Sequence, residues 1–232
     1  MARPIHPYLK PLIEGFESNR DPVRAGQMKK YLKGQFEFYG IPTPARRALM
    51  KAHFREYGLP DWSHARDISL QLWELEEREC QHCLLDLLNR MKRNLSPADL
   101  PLLEILITTK SWWDTVDGLA GWLAGDLFSR HAELVPGTTR RWMDSGNLWL
   151  QRSCLLFQIK YRKETDADLL FRFIDELSQH RSFWIRKAIG WSLREYSKSD
   201  PFAVREYVDS HPGLSGLSRR EALKVIARKK PG

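Results

Sequence analysis

Trp149-Leu150-Gln151-Arg152, closing on Tyr161, aligns without a gap to Trp184-Ile185-Arg186-Lys187, closing on Tyr196. The offset is 35 residues. Trp113 stands 36 residues before Trp149, and Ser218, which opens Ser218-Arg219-Arg220-Glu221, stands 34 after Trp184. A unit of about 35 to 40 residues made of two helices is the mark of a helical repeat protein. One helix pair cannot bury its apolar stripe alone, so successive pairs stack and curve, leaving a concave face. The expected fold class is all-α: a right-handed α-solenoid of stacked antiparallel helix pairs with a concave basic groove. No linker-rich stretch interrupts the chain, so residues 1–232 are expected to form a single domain.

Almost every other segment also reads at the helical period, with Pro and short polar stretches between segments and no alternating strand pattern. Helices are predicted over 6–18, 21–34, 43–57, 63–74, 76–94, 97–109, 111–130, 136–144, 147–163, 166–180, 183–198, 201–210 and 217–229. Thr43-Pro44, Ser96-Pro97 and Asp200-Pro201 each set a capping residue before a Pro at the first helical position.

A chain of 232 residues, 42% hydrophobic and 28% charged, can bury a core that needs no staples. No apolar run approaches the length of a membrane span, and the N-terminus lacks the hydrophobic stretch of a signal peptide, so a cytoplasmic protein is expected. Three cysteines are too few for a disulfide scaffold. Cys80 and Cys83 form a C-x-x-C inside an apparent helix with no second pair nearby, which reads as packing rather than metal or redox chemistry. There is no Gly-rich phosphate loop, no H-E-x-x-H and no paired ligand cluster, so neither a nucleotide cofactor nor a metal is expected.

The net charge is +8, and from Arg181 onward twelve Lys or Arg face five Asp or Glu. That asymmetry points to a polyanion. The run Arg228-Lys229-Lys230 reads as a solvated tail, but the other cations sit within helices among aromatics. Trp184, Lys187, Trp191 and Arg194 follow spacings of three, four and three, which is one helical stripe. Cations for phosphate and flat rings for sugar and base are what a nucleic-acid groove requires. The plainer reading packs Trp184 and Trp191 inward while the cations snorkel to solvent. Repeat register adds Trp113, Arg152, Arg219 and Arg220 to the candidates for the same groove, and Arg46 and Arg47 open a further helix near it.

Lys110-Ser111-Trp112-Trp113-Asp114-Thr115-Val116-Asp117 is the densest stretch chemically. Trp113 and Asp117 are four apart and share one helix face. An indole π-face beside a carboxylate suits an electron-poor group such as a developing oxocarbenium ion. A buried Trp beside a capping Asp is the structural alternative.

The chain resembles the HEAT-like-repeat DNA alkylation repair enzymes, the alkylpurine DNA glycosylases of bacteria, over essentially its whole length. The resemblance rests on Tyr31-Leu32-Lys33, Tyr39-Gly40-Ile41-Pro42-Thr43-Pro44, Leu72-Trp73 and Thr109-Lys110-Ser111-Trp112-Trp113-Asp114. It continues through Trp149-Leu150-Gln151-Arg152, the segment from Lys187 to Tyr196, and Leu217-Ser218-Arg219-Arg220-Glu221-Ala222. By that resemblance the catalytic carboxylate falls on Asp117, the catalytic tryptophans on Trp113 and Trp191, and a DNA-contacting arginine on Arg152. Lys187, Arg194, Arg219 and Arg220 are expected to join it on phosphates. Pro42 departs from the polar residue common in relatives, so that loop is assigned no contact. The implied activity is hydrolysis of the N-glycosidic bond of N3- or N7-alkylated purines in duplex DNA by a monomer without cofactors. The alternatives are a non-catalytic solenoid binding bent or branched DNA, and a protein-interaction scaffold.

Overall fold

The computed structural model describes residues 4–227. The basic run Arg228-Lys229-Lys230 and the end of the helix expected over 217–229 lie outside them. The fold is all-α: no strand forms among the described residues, and Glu37 and Glu77 meet only as an isolated bridge. No helix among the described residues is long and apolar enough to cross a membrane. The chain divides after Asn94 into two compact helical units.

The first unit holds α1 (Lys10–Glu17), α2 (Pro22–Tyr31), α3 (Thr43–Tyr57), α4 (Trp62–Glu74) and α5 (Arg78–Met91). Its core gathers around α5, where the buried Glu79 carboxylate accepts three backbone N–H groups, from Tyr39, Gly40 and Ile41. This fixes the loop that enters α3. Cys80 and Cys83 are buried in α5, and burial pushes the Cys83 thiol up to about 12.

The second unit holds α6 (Leu100–Thr108), α7 (Trp113–Gly118), α8 (Gly125–Arg130), α9 (Leu134–Asp144), α10 (Leu148–Leu156), α11 (Ala167–Leu177), α12 (Phe183–Tyr196), α13 (Pro201–Ser210) and α14 (Gly216–Leu223). Within it, α10 packs against α7, α9, α11 and α12, and α12 packs against α13 and α14. The two aligned segments therefore become the neighbouring helices α10 and α12, each preceded by a partner helix.

The boundaries follow the predicted ones closely, with three differences, one being that α14 stops at Leu223 and continues as turns to Ala227 where helix was expected. The helix expected over 111–130 starts at Trp113 and widens to π-helical turns over Leu119–Ala124 before resuming as α8. Backbone packing explains this: a Cβ on Gly125 would lie 2.3 Å from the Phe157 carbonyl oxygen, so α10 presses directly on this segment. Tyr161 Oη donates to the Gly125 carbonyl at 2.7 Å, at the first residue of α8 just after the widened stretch. Third, α10 ends at Leu156 rather than 163, continuing as turns to Tyr161 before Arg162 takes a left-handed conformation at φ 58°.

Candidate active site

The central segment is shaped by how α6 stops and α7 starts. Thr108, Thr109 and Ser111 turn their hydroxyls back onto the carbonyls of Glu104, Ile105 and Ile107. Such back-bonding satisfies the last acceptors of a helix. Lys110 then reverses the chain at φ 45°, and Trp112 is extended at the N-cap of α7. The Trp112 carbonyl accepts from the Thr115 and Val116 amides. Asp114 falls in the first turn, where the helix dipole favours an acid. Trp113 and Asp117 consequently share one face of α7, and both are half-buried.

Asp117 does not stand alone. Arg152 of α10 grips it bidentately, Nε to Oδ1 at 2.7 Å and Nη2 to Oδ2 at 2.8 Å. The third guanidinium nitrogen, Nη1, donates to the Trp184 carbonyl of α12 at 2.5 Å. One side chain thus ties together α7, α10 and α12. The Arg152 side chain is 3% exposed and Asp117 keeps 16%, so the pair closes on its arginine side and opens on its carboxylate side. Burial raises the Asp117 carboxyl above the ordinary aspartate value, and the hydrogen bond and charge of Arg152 oppose that rise.

The structure gives Arg152 partners that the sequence reading did not assign to it. All three of its nitrogens are committed inside the protein, so it presents no open fork to a phosphate. The repeat had the signal: Asp117 and Arg152 are 35 residues apart, one repeat period, and oppositely charged groups at one register meet across neighbouring helices.

The same rule locates a residue that the sequence reading passed over. Glu221 stands 34 residues after Lys187, and its carboxylate takes Lys187 Nζ at 2.8 Å and Arg194 Nη1 at 2.5 Å. Lys187, and then Arg194, hold the Glu221 carboxyl below the usual glutamate value. A close crossing of α12 and α14 makes this reach possible, because a Cβ on Gly190 would sit 2.5 Å from the Glu221 Cβ. Lys187 and Arg194 are half-buried and paired rather than open.

Of the remaining candidates, Arg219 donates Nη1 to the Val208 and His211 carbonyls at 2.7 and 3.2 Å. Through that nitrogen it caps the end of α13. Arg220 is exposed and enters no ion pair with a described residue. Arg46 is buried against Asp86, and Arg47 is exposed and pairs with the same carboxylate.

The tryptophans divide into two groups. Trp112, Trp149 and Trp184 form a cluster, with ring centroids 5.0 Å apart for Trp112–Trp184, 5.9 Å for Trp112–Trp149 and 6.1 Å for Trp149–Trp184. They stand at the N-terminal ends of α7, α10 and α12 and lock those ends one turn from the Asp117–Arg152 pair. The inward reading of Trp184 therefore describes it. Trp191 stands two turns further along α12, half-buried, about 10 Å from Trp184 by helical rise.

Comparison with known proteins gives this arrangement a family. A profile described as DNA alkylation repair enzyme matches residues 12–226. The chain belongs to the DNA alkylation repair enzyme family. A solved structure of a predicted DNA alkylation repair enzyme from Enterococcus faecalis is similar at a TM-score of 0.83 and 31% sequence identity, covering 90% of this chain and 98% of that one. No curated protein matches the sequence. Membership gives the chain a role in DNA repair with DNA as its substrate. In this family member, no group of three or more His, Cys, Asp or Glu among the described residues is placed to hold a metal.

Proposed function

We propose that this protein is a monofunctional DNA glycosylase that releases N3- and N7-alkylated purines from duplex DNA. The observation that carries the reading is Asp117: a carboxylate on the same helix face as Trp113, mostly buried, and kept as an ion pair by Arg152.

A purine alkylated at N3 or N7 is a cation, so it leaves as a neutral base once the C1′–N bond breaks with its electron pair on the base. No acid is needed to protonate a leaving group. What remains is to stabilise the sugar cation and to aim a water at C1′. Arg152 occupies one lone-pair direction on each Asp117 oxygen, and a carboxylate has about four, so the open side still accepts a water proton. The water oxygen bonds to C1′, and its proton passes to Asp117 and on to solvent. Trp113 and Trp191 turn negative π-faces toward the same developing charge. Electrostatic groups of this kind are worth about 3 to 4 kcal/mol in the transition state.

In this reading Arg152 acts on the reaction through Asp117. Lys187, Arg194 and Arg220 remain the proposed contacts to phosphate, with Glu221 holding the first two in place. The profile match runs through both helical units, which supports their working as one module.

The test is release of free 7-methylguanine from methylated duplex in buffer containing a chelator. The reading predicts release there and none from uracil-containing duplex, whose neutral base would need an acid. Release that stops on chelation, or excision of uracil at a comparable rate, would contradict it.

A further inference from the structure

A cleft of about 820 Å³ opens at the other end of the α10–α12 pair. It is lined by the last turns after α10, the following residues 160–165, Leu170 of α11, and the end of α12. Its lip carries Lys160, Arg162, Lys163 and Lys198 against Glu164 and Glu195. Lys198 closes on Glu195 at 2.5 Å. Lys160, Arg162 and Lys163 are exposed and enter no ion pair with a described residue. Tyr196 and Ser192 line the same space.

Two observations argue that this charge serves a ligand. A helix C-terminus carries about half a negative charge, and three open cations within four residues far exceed what it needs. Arg162 also holds φ at 58°, a left-handed conformation that favours glycine, at the start of the 3-10 turn Arg162–Glu164. Among the described residues, the other two non-glycine residues with positive φ, Lys33 and Lys110, are cations as well. At each of these turns the sequence keeps a charge where glycine would relieve strain.

We propose that this cleft is a second phosphate-binding site that grips the DNA backbone beside the lesion, through Lys160, Arg162 and Lys163. From Arg152 to Lys160, through the end of α10 and the turns after it, a rise of about 1.5 to 2 Å per residue covers about 12 to 16 Å, which is roughly four phosphates along one strand. A duplex held at Asp117 thus has backbone within reach of the lip. The choice of DNA over another phosphate ligand rests on the DNA-repair reading above.

The experiment measures binding of undamaged duplex between 50 and 200 mM salt by fluorescence anisotropy. It uses the wild type, the triple variant Lys160→Ala/Arg162→Ala/Lys163→Ala, and the charge-keeping Lys160→Arg/Arg162→Lys/Lys163→Arg. The slope of log affinity against log salt should fall by about 2 to 3 in the alanine variant, at roughly 0.9 per contact, and stay unchanged in the charge-keeping one. An alanine variant with the wild-type slope overturns the proposal. It is equally overturned if inorganic phosphate titrates the lip while the duplex slope is unmoved, because the ligand is then free phosphate. A slope loss in a protein that releases no base supports the cleft and removes only the glycosylase reading.

Discussion

Burial pushes the proton affinity of Asp117 up, and Arg152 pulls against it. The acid limb of the base-release profile should therefore lie above the range of an exposed aspartate, because activity needs the ionised form. Arg152→Met removes the opposing cation, so the limb should move to still higher pH and the rate at neutral pH should fall. The same variant leaves a buried carboxylate unpaired, which costs about 3 to 5 kcal/mol, measurable as a lowered urea midpoint. A phosphate-gripping Arg152 would instead weaken duplex binding and leave the acid limb in place. Asp117 was legible from its four-residue spacing to Trp113. Arg152 was legible in position but its partner was not, because repeat register says which residues line up and not whether a charge faces solvent or the neighbouring helix. Its partner's charge, one period earlier, was the missing clue.

At the scale of elements, helix contacts set where the charges sit. Gly190 lets α14 lie against α12, and Gly190→Ala would force a methyl into the Glu221 Cβ and the Ser218 carbonyl oxygen. Overpacking of that kind costs about 1 to 3 kcal/mol and should appear as a lowered melting temperature. Glu221→Gln tests the neighbouring ion pairs differently. With the Glu221 carboxylate gone, Lys187 loses its partner and Arg194 keeps only Glu195 at 4.0 Å, so duplex affinity should rise and its salt dependence should steepen by about one unit. Unchanged affinity would place both cations outside the DNA path. The folded Glu221 value lies below its unfolded one. Its contribution to stability is therefore full above the unfolded value and is lost as pH falls through the folded one. Glu221 loses its effect in acid. Helix positions were readable because capping residues and Pro mark their starts. The π-helical turns over Leu119–Ala124 were not, since their cause is the α10 backbone pressing on Gly125 from more than thirty residues away.

For the whole molecule, the all-helical fold follows from a period of about 35 residues that buries each helix pair only against its neighbours. The net charge of +8 foretold a polyanion, and the family membership makes that polyanion DNA. Charge alone did not say which cations are open. Arg152, Lys187, Arg194 and Arg219 each hold a partner within the fold, while Lys160, Arg162 and Lys163, which no motif singled out, are exposed and enter no ion pair with a described residue. Pairing is a tertiary property, and a list of basic residues does not contain it.

The central claim is that one aspartate, held by its arginine, performs the chemistry on DNA. It is tested most directly by single-turnover release of 7-methylguanine from a defined duplex by the wild type and Asp117→Asn, with duplex affinity measured in parallel. The account predicts a loss of at least about a hundredfold in the variant, the scale of one electrostatic group in a transition state, with affinity for the duplex retained. Release by Asp117→Asn at the wild-type rate would contradict it.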